Sequence, residues 1–425
     1  MADAAQIRKV KAIVEADSGR RLVVVSAPGK RTKADEKITD LLYTCHSLAS
    51  KGEALDKPFG TIKNRFLEIA GDLNIGISLG LILDEVQRKI EGGASADYAA
   101  SRGEYLSGLM IADFLGAEFI DAEEVVRLTD DGRVHEDSYK LLADRVTDRG
   151  LMVMPGFFGA GMDGTVKTFS RGGSDISGAI AARAVHAEIY ENWTDVSGIL
   201  MADPRIADKP KAIEKITYRE IREMASIGAS VFHEEAIAPV KAEGIPINVK
   251  NTNDPSAPGT LILSERDTKT LPVVGVSGKK PFRRVVIEKF MLNRYPQFPA
   301  QVAEELSSGG FSAEFELKGF DTLTLFIQSE GRDETVWRKI EAALKDKLGA
   351  DNARVEDESA MIGIVGEGLQ EDGTIPGIVL TALAQKGIAV HAVNYGGSPV
   401  TLMIAVPVEQ YAEAIQTLAR TVAEV

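Results

Sequence analysis

Roughly the last third of the sequence repeats itself, and this limits the fold more than any other feature. "RRVVIEKFML" (283–292) corresponds to "ESAMIGIVGEG" (358–368), and "DTLTLFIQ" (321–328) corresponds to "PVTLMIAV" (399–406). Both pairs lie about 77 positions apart, so one small module has been duplicated. Each copy runs strand, helix ("PAQVAEELSSGG"; "PGIVLTALAQKG"), two strands, helix ("ETVWRKIEAALKDKL"; "EQYAEAIQTLART"), then an edge strand. That order is βαββαβ, the ferredoxin-like arrangement. A tandem pair of such modules is either a regulatory unit that binds a small effector or a dimerisation platform, and both readings stay open here.

The chain of 425 residues is long enough for about three domains. A stretch rich in Pro, Gly and polar residues, "NTNDPSAPGT" to "VSGKKP" (251–281), marks the boundary before the repeat. Upstream, apolar runs alternate with helical patterns. "RLVVVSA" (21–27) reads as a strand buried on both faces. Helices are expected around 36–50 and 58–70, and "ASRGEYLSGLMIADFLGAEFI" is a helix with Leu106, Leu109, Met110 and Phe114 on it. "GLMVMPGFFGAG" is a strand running into a glycine loop, followed by a small-residue helix from "GGSDISGAIAARAVHA". "AEIYENWTDVSG" and "IPINVKN" are strands, and "TYREIREMASIGASVF" is an amphipathic helix. Such alternation predicts an α/β fold, a mostly parallel sheet covered by helices on both faces. Ligands then bind at loops after the strand C-termini.

Composition narrows the function. With 63 carboxylates against 49 Lys plus Arg and no basic tract, a nucleic-acid partner is disfavoured. Cys45 is the one cysteine, which fits a reducing, cytoplasmic compartment and a buried structural thiol. Neither His46 beside it nor any Cys/His spacing points to a metal. The start "MADAAQIRKVKAIVEADSGRR" is charged rather than signal-like, and the apolar runs are too short to span a membrane.

The chemistry-bearing candidates cluster around 150–205. "PGFFGAGMDG" carries Gly156, Gly159, Gly161 and Gly164, a spacing that lets backbone N–H groups face a ligand oxygen. "SRGGSD" follows, with Arg171 a fixed cation and Ser174 and Asp175 at a helix start that suits an anion. Ser174 or Asp175 also serves as a simple cap. In "NWTDVSGILMADPR", Thr194 and Asp195 follow a strand where a nucleotide binds, and Arg205 can reach a phosphate. Both turns are equally readable as Asx caps. Glu104, on an otherwise apolar and small-residue helix, can hold an ammonium group or lie exposed. Ser26, at a strand end, and Thr39-Asp40, at a helix start, can bind a ligand or cap. His233 is a base or, more simply, a structural histidine.

Taken in order, "PGFFGAG…SRGGSDISGAIAA", "WTDVSGILMADPRI", "GASVFHEEAIAP" and "IPINVKNTNDPSAPGT" resemble the aspartate kinases of the amino-acid kinase superfamily. The tandem modules are similar to their paired ACT domains. The resemblance implies a three-layer αβα sandwich over 1–275, then two ferredoxin-like modules at 283–356 and 357–425. It implies ATP and Mg²⁺, with the γ-phosphoryl group passing to the side-chain carboxylate of L-aspartate, a step leading to lysine, threonine and methionine. Carried over by position, Arg171 holds the α-carboxylate of aspartate and Glu104 its ammonium group. Thr39, Ser174 and Ser26 add acceptor-side contacts, and Asp175 lies near the transferring phosphoryl group or orients the site's cation. Gly156 and Gly159 line the phosphate path, while Thr194, Asp195 and Arg205 bind ATP. If the modules are regulatory, an amino-acid effector is expected around the first copy, at Asn293, Phe298 and Asp321, and the resemblance implies a homodimer through the modules.

Two departures accompany the resemblance. The family's Lys-Phe-Gly-Gly-Thr-Ser loop, whose lysine contacts the transferred phosphate, is not in this sequence, which opens like the segment following it. A late start codon, a cut chain and a lost lysine are the three explanations. Loss of that charge alone would cost ~3 kcal/mol of transition-state stabilisation. Some relatives carry lysine where Ser230 stands. A non-catalytic amino-acid sensor and a kinase acting on glutamate are the competing functions.

Overall fold

A computed structural model describes residues 1–146, 150–169, 173–229 and 236–425. The chain forms two compact units. The first comprises Met1–Ile199, Glu214–Tyr218 and Val231–Glu265; the second comprises Leu200–Ile213, Arg219–Ser230 and Arg266–Val425.

The first unit is α/β, as expected. Met152–Pro155, all four residues buried, lies between parallel neighbours Leu22–Val25 and Glu118–Phe119. Its unbroken apolar run is what a strand covered on both faces requires. Leu22–Val25 departs from expectation: it is an edge strand of this sheet, so only Val25 is fully buried, and Ser26 lies beyond its end. A second sheet orders Tyr190–Thr194, Ile247–Asn251, Thr260–Leu263 and Lys215–Thr217, parallel except between the middle two. A third joins Arg127–Leu128, Phe158–Gly161 and Val166–Thr168. The glycine loop expected after Met154 is therefore partly a strand.

Four helices, Ile38–Ser50, Asp56–Leu73, Leu79–Glu91 and Ala96–Leu115, share one apolar core with Val25 and Val153. Leu79–Glu91 was not foreseen, although Leu79, Leu83, Val86 and Ile90 mark one helical face. Ala96–Leu115 is buried around most of its circumference. Ser95 caps its start by accepting from the Tyr98 N–H, and Gly116 ends it in the left-handed region. Cys45 sits in this core, where burial pushes its thiol up to about 11, so it is inert.

The second unit carries a six-stranded antiparallel sheet. Two long strands, Gly275–Glu288 and Asn352–Val365, run side by side through its middle. Phe282–Glu288 pairs outward with Thr322–Gln328, and Ser359–Val365 pairs outward with Thr401–Pro407. Each long strand thus serves both copies of the repeat. The second copy's fourth strand is Gly275–Lys279, which precedes the first copy in the chain, because it pairs with Met361–Val365. Among the described residues no helix is long and apolar enough to cross a membrane.

Candidate active site

Three segments of the first unit converge at the C-terminal end of its parallel strands. Gly156, just past Met152–Pro155, donates its N–H to the Val25 carbonyl at 2.8 Å. One residue further along each chain lie Ser26 and Phe157. A Cβ at position 156 would come within 2.8 Å of both Cα and Oγ of Ser174, so only glycine lets the loop touch the helix Gly173–Ala184 here. Phe157 adopts φ 78°, a conformation that costs a non-glycine residue strain. The strain is held by its N–H donating to Ser177 Oγ at 3.0 Å, while Ser177 donates to the Gly173 carbonyl at 2.9 Å.

Glu104 enters the same place from the helix Ala96–Leu115. Its Oε1 accepts from the Ala27 N–H at 3.1 Å, and its Oε2 is buried with no partner among the described residues. The side chain is 6% exposed. Desolvation raises its pKa from 4.5 to about 7, against the smaller opposing effect of the Ala27 hydrogen bond. An oxygen so placed, unpartnered among the described residues, can accept from a donor that enters the site. Ser107, one turn further along the helix, also has a buried hydroxyl without a partner among the described residues.

Thr39 lies in the first turn of Ile38–Ser50, whose N-cap is Lys37 with no side-chain cap bond. Its hydroxyl is therefore not the cap that the pattern allowed. Asp175 stands in the first turn of Gly173–Ala184, and Asn192 donates to its Oδ1 at 2.9 Å. Asn192 escaped the sequence reading because an isolated strand asparagine carries no signal. Thr194 ends its strand and donates to Asp195 Oδ1 at 3.2 Å; Asp195 is exposed.

Gly159 belongs to the strand Phe158–Gly161, and a Cβ there would meet Val126 at 2.7 Å, so its glycine serves strand packing. Arg205 falls in the second unit, exposed and held by the Asp203 carboxylate through Nε at 3.0 Å and Nη2 at 2.6 Å. Arg171, Ser230 and His233 lie outside the described residues. Among the described residues no three His, Cys, Asp or Glu side chains form a metal cluster.

On the first module, Asp321 Oδ1 accepts from the Met291 N–H at 2.8 Å, and the Asn293 N–H donates to the Phe320 carbonyl at 3.2 Å. Asn293 and Asp321 are thus in adjacent turns. Phe298 is 2% exposed in the module core, so its ring supports the turn from within.

Residues 1–251 match the amino acid kinase family, and residues 362–422 match the ACT domain. Aspartokinase 3 of Bacillus subtilis is 35% identical over 98% of this chain and 95% of its own. The chain belongs to the aspartokinases. The crystal structure of Clostridium acetobutylicum aspartate kinase, 41% identical, superposes with a TM-score of 0.92 over 99% of this chain and 97% of its own. Escherichia coli aspartokinase III in complex with aspartate and ADP, 25% identical, gives 0.76 over the same shares. As an aspartokinase-family member this chain is an ATP-dependent phosphotransferase with a carboxyl acceptor. Its first unit has the amino-acid kinase fold, and its second carries the ACT architecture.

Proposed function

We propose that this chain transfers the γ-phosphoryl group of ATP to the side-chain carboxylate of L-aspartate, at the head of lysine, threonine and methionine synthesis. The observation that carries the reading is Glu104, a buried carboxylate that accepts from the Ala27 N–H and has its other oxygen unpartnered among the described residues. A substrate ammonium would supply the missing partner and favour the ionised form. Ser26, Thr39 and Ser174 then offer hydroxyls to the acceptor, and Arg171 its guanidinium to the α-carboxylate. The Gly156 turn brings backbone against Ser174 where the phosphoryl group passes, and Thr194 with Asp195 receives the nucleotide. Phosphoryl transfer asks the protein mainly to align two anions and neutralise their repulsion. Mg²⁺ arrives with ATP, and one carboxylate such as that of Asp175 suits an ion held mostly by phosphates.

Feedback belongs to the same proposal. Escherichia coli aspartokinase III has also been solved with lysine and aspartate, which supports an amino-acid effector; the turn of Asn293 and Asp321 is the place proposed for it here. The modules pair two copies of the chain in this reading, which sedimentation checks. The deciding experiment is ATP- and aspartate-dependent hydroxamate formation, with glutamate as competing acceptor and lysine and threonine as inhibitors. Turnover with glutamate but not aspartate overturns the substrate assignment. Effector binding by calorimetry without any phosphoryl transfer turns the protein into a sensor.

A further inference from the structure

Asp175 is built into a platform made by one face of a strand. Tyr190 and Asn192 alternate along Tyr190–Thr194, and period-two geometry puts them on the same side. Glu191 and Trp193 face the other way, where Arg20 bonds Glu191 at 2.6 Å and lies 5.4 Å from the Trp193 ring. On the first side, Asn192 Nδ2 donates to Asp175 Oδ1 at 2.9 Å and to Tyr190 Oη at 3.1 Å. Tyr190 Oη in turn donates to the Asp175 carbonyl at 3.3 Å. The ring fits only because position 178 is glycine, since a Cβ there would collide with the Tyr190 hydroxyl. Burial, and then the charge of Asp175, push the Tyr190 phenol up, so it stays a neutral donor.

We infer that Tyr190 and Asn192 are positioning residues for phosphoryl transfer, fixing the Asp175 carboxylate through its side chain and its backbone. A neutral amide donor sets the carboxylate's orientation while leaving its charge intact, which a lysine or arginine in that place would not. The strand that carries the platform ends at Thr194, so one element frames both the carboxylate and the proposed nucleotide contact. This rests on the reading that Asp175 lies at the transferring phosphoryl group.

The full chain is assayed as Asp175→Asn, Tyr190→Phe, Asn192→Leu and Asn192→Asp, with kcat and both KM values measured and melting followed for each. Asn192→Leu is expected to lower kcat about 10- to 100-fold with KM for ATP and aspartate within about threefold of the parent. Asn192→Asp, nearly isosteric, replaces the donor by a like charge and is expected to be the worse of the two. A role in packing alone predicts the reverse order. Tyr190→Phe, which keeps the ring and removes only the hydroxyl, is expected to lose kcat by about threefold to tenfold. If Asp175→Asn abolishes turnover while both Asn192 variants keep the parental kcat, the positioning role is wrong. If the parent shows no aspartate-dependent turnover, or Asp175→Asn is as active as the parent, the underlying activity reading falls instead.

Discussion

Glu104 shows how much a single buried group can report. In an unfolded chain a glutamate titrates near 4.3, about where water leaves it. In this protein, burial lifts it to about 7. Between those values the folded chain keeps a proton that the unfolded chain has released. Stability therefore falls as pH rises through that window, and the loss is complete above about pH 7, amounting to roughly 4 kcal/mol. Glu104→Gln removes the titration, so urea unfolding of that variant is expected to lack this slope between pH 5 and 7. A substrate ammonium at Oε2 reverses the preference. Aspartate binding is then expected to release a proton below pH 7, measurable by calorimetry in buffers of different ionisation enthalpy. Binding without proton release would remove Glu104 from the ammonium site. The sequence showed Glu104 on a helix of small residues but not its setting, because the Ala27 N–H that defines it lies 77 residues away.

At the scale of elements, the loop between Ser26 and Thr39 depends on one arginine. Arg65, on the helix Asp56–Leu73, is 4% exposed and donates to the carbonyls of Gly29 and Glu36, near the two ends of the loop. It also meets the Asp35 carboxylate at 3.2 Å. Its planar fork reaches these acceptors together, which an ammonium group does not. Arg65→Ala is expected to cost about 2 kcal/mol or more and to speed hydrogen exchange across residues 27–37, with Arg65→Lys restoring only part. Unchanged exchange there would show that the loop holds itself. This clamp was invisible in sequence, where Arg65 is one cation of an amphipathic helix and its partners lie 29 to 36 residues back. Apolar periodicity made the long helices and the buried strand Met152–Pro155 legible. It misplaced Phe158–Gly161 because the antiparallel partner Val166–Thr168, not local composition, makes that glycine stretch a strand. Likewise "RLVVVSA" has the pattern of a central strand, yet its place in the sheet order leaves it at an edge.

Over the whole molecule the chain crosses more than once between its two units, so sequence position and unit membership diverge. Arg219–Ser230 counts with the second unit because Glu220, fully buried, accepts from Arg266 Nε at 2.8 Å and from the Glu367 N–H at 2.7 Å. Glu223 accepts from Ser398 and Thr401 in the same unit. Arg266→Met would leave Glu220 charged in the interior and is expected to cost about 3–5 kcal/mol, read from denaturant midpoints. The repeat has a similar twist. Cut as it reads, the second copy begins near 357 and lacks its fourth strand, which is Gly275–Lys279. A fragment of 357–425 is therefore expected to expose the unpaired side of Met361–Val365 and to melt without cooperativity or aggregate. The register supplies the remedy. Lys279 and Met361 are direct antiparallel partners, so an Asn-Gly turn joining them replaces the entire first copy. That chain, starting at 272 and ending at 425, is expected to show one cooperative transition where the simple fragment shows none. Equal behaviour of the two fragments would mean that the shared strand contributes little, and that the second copy closes its sheet by other means.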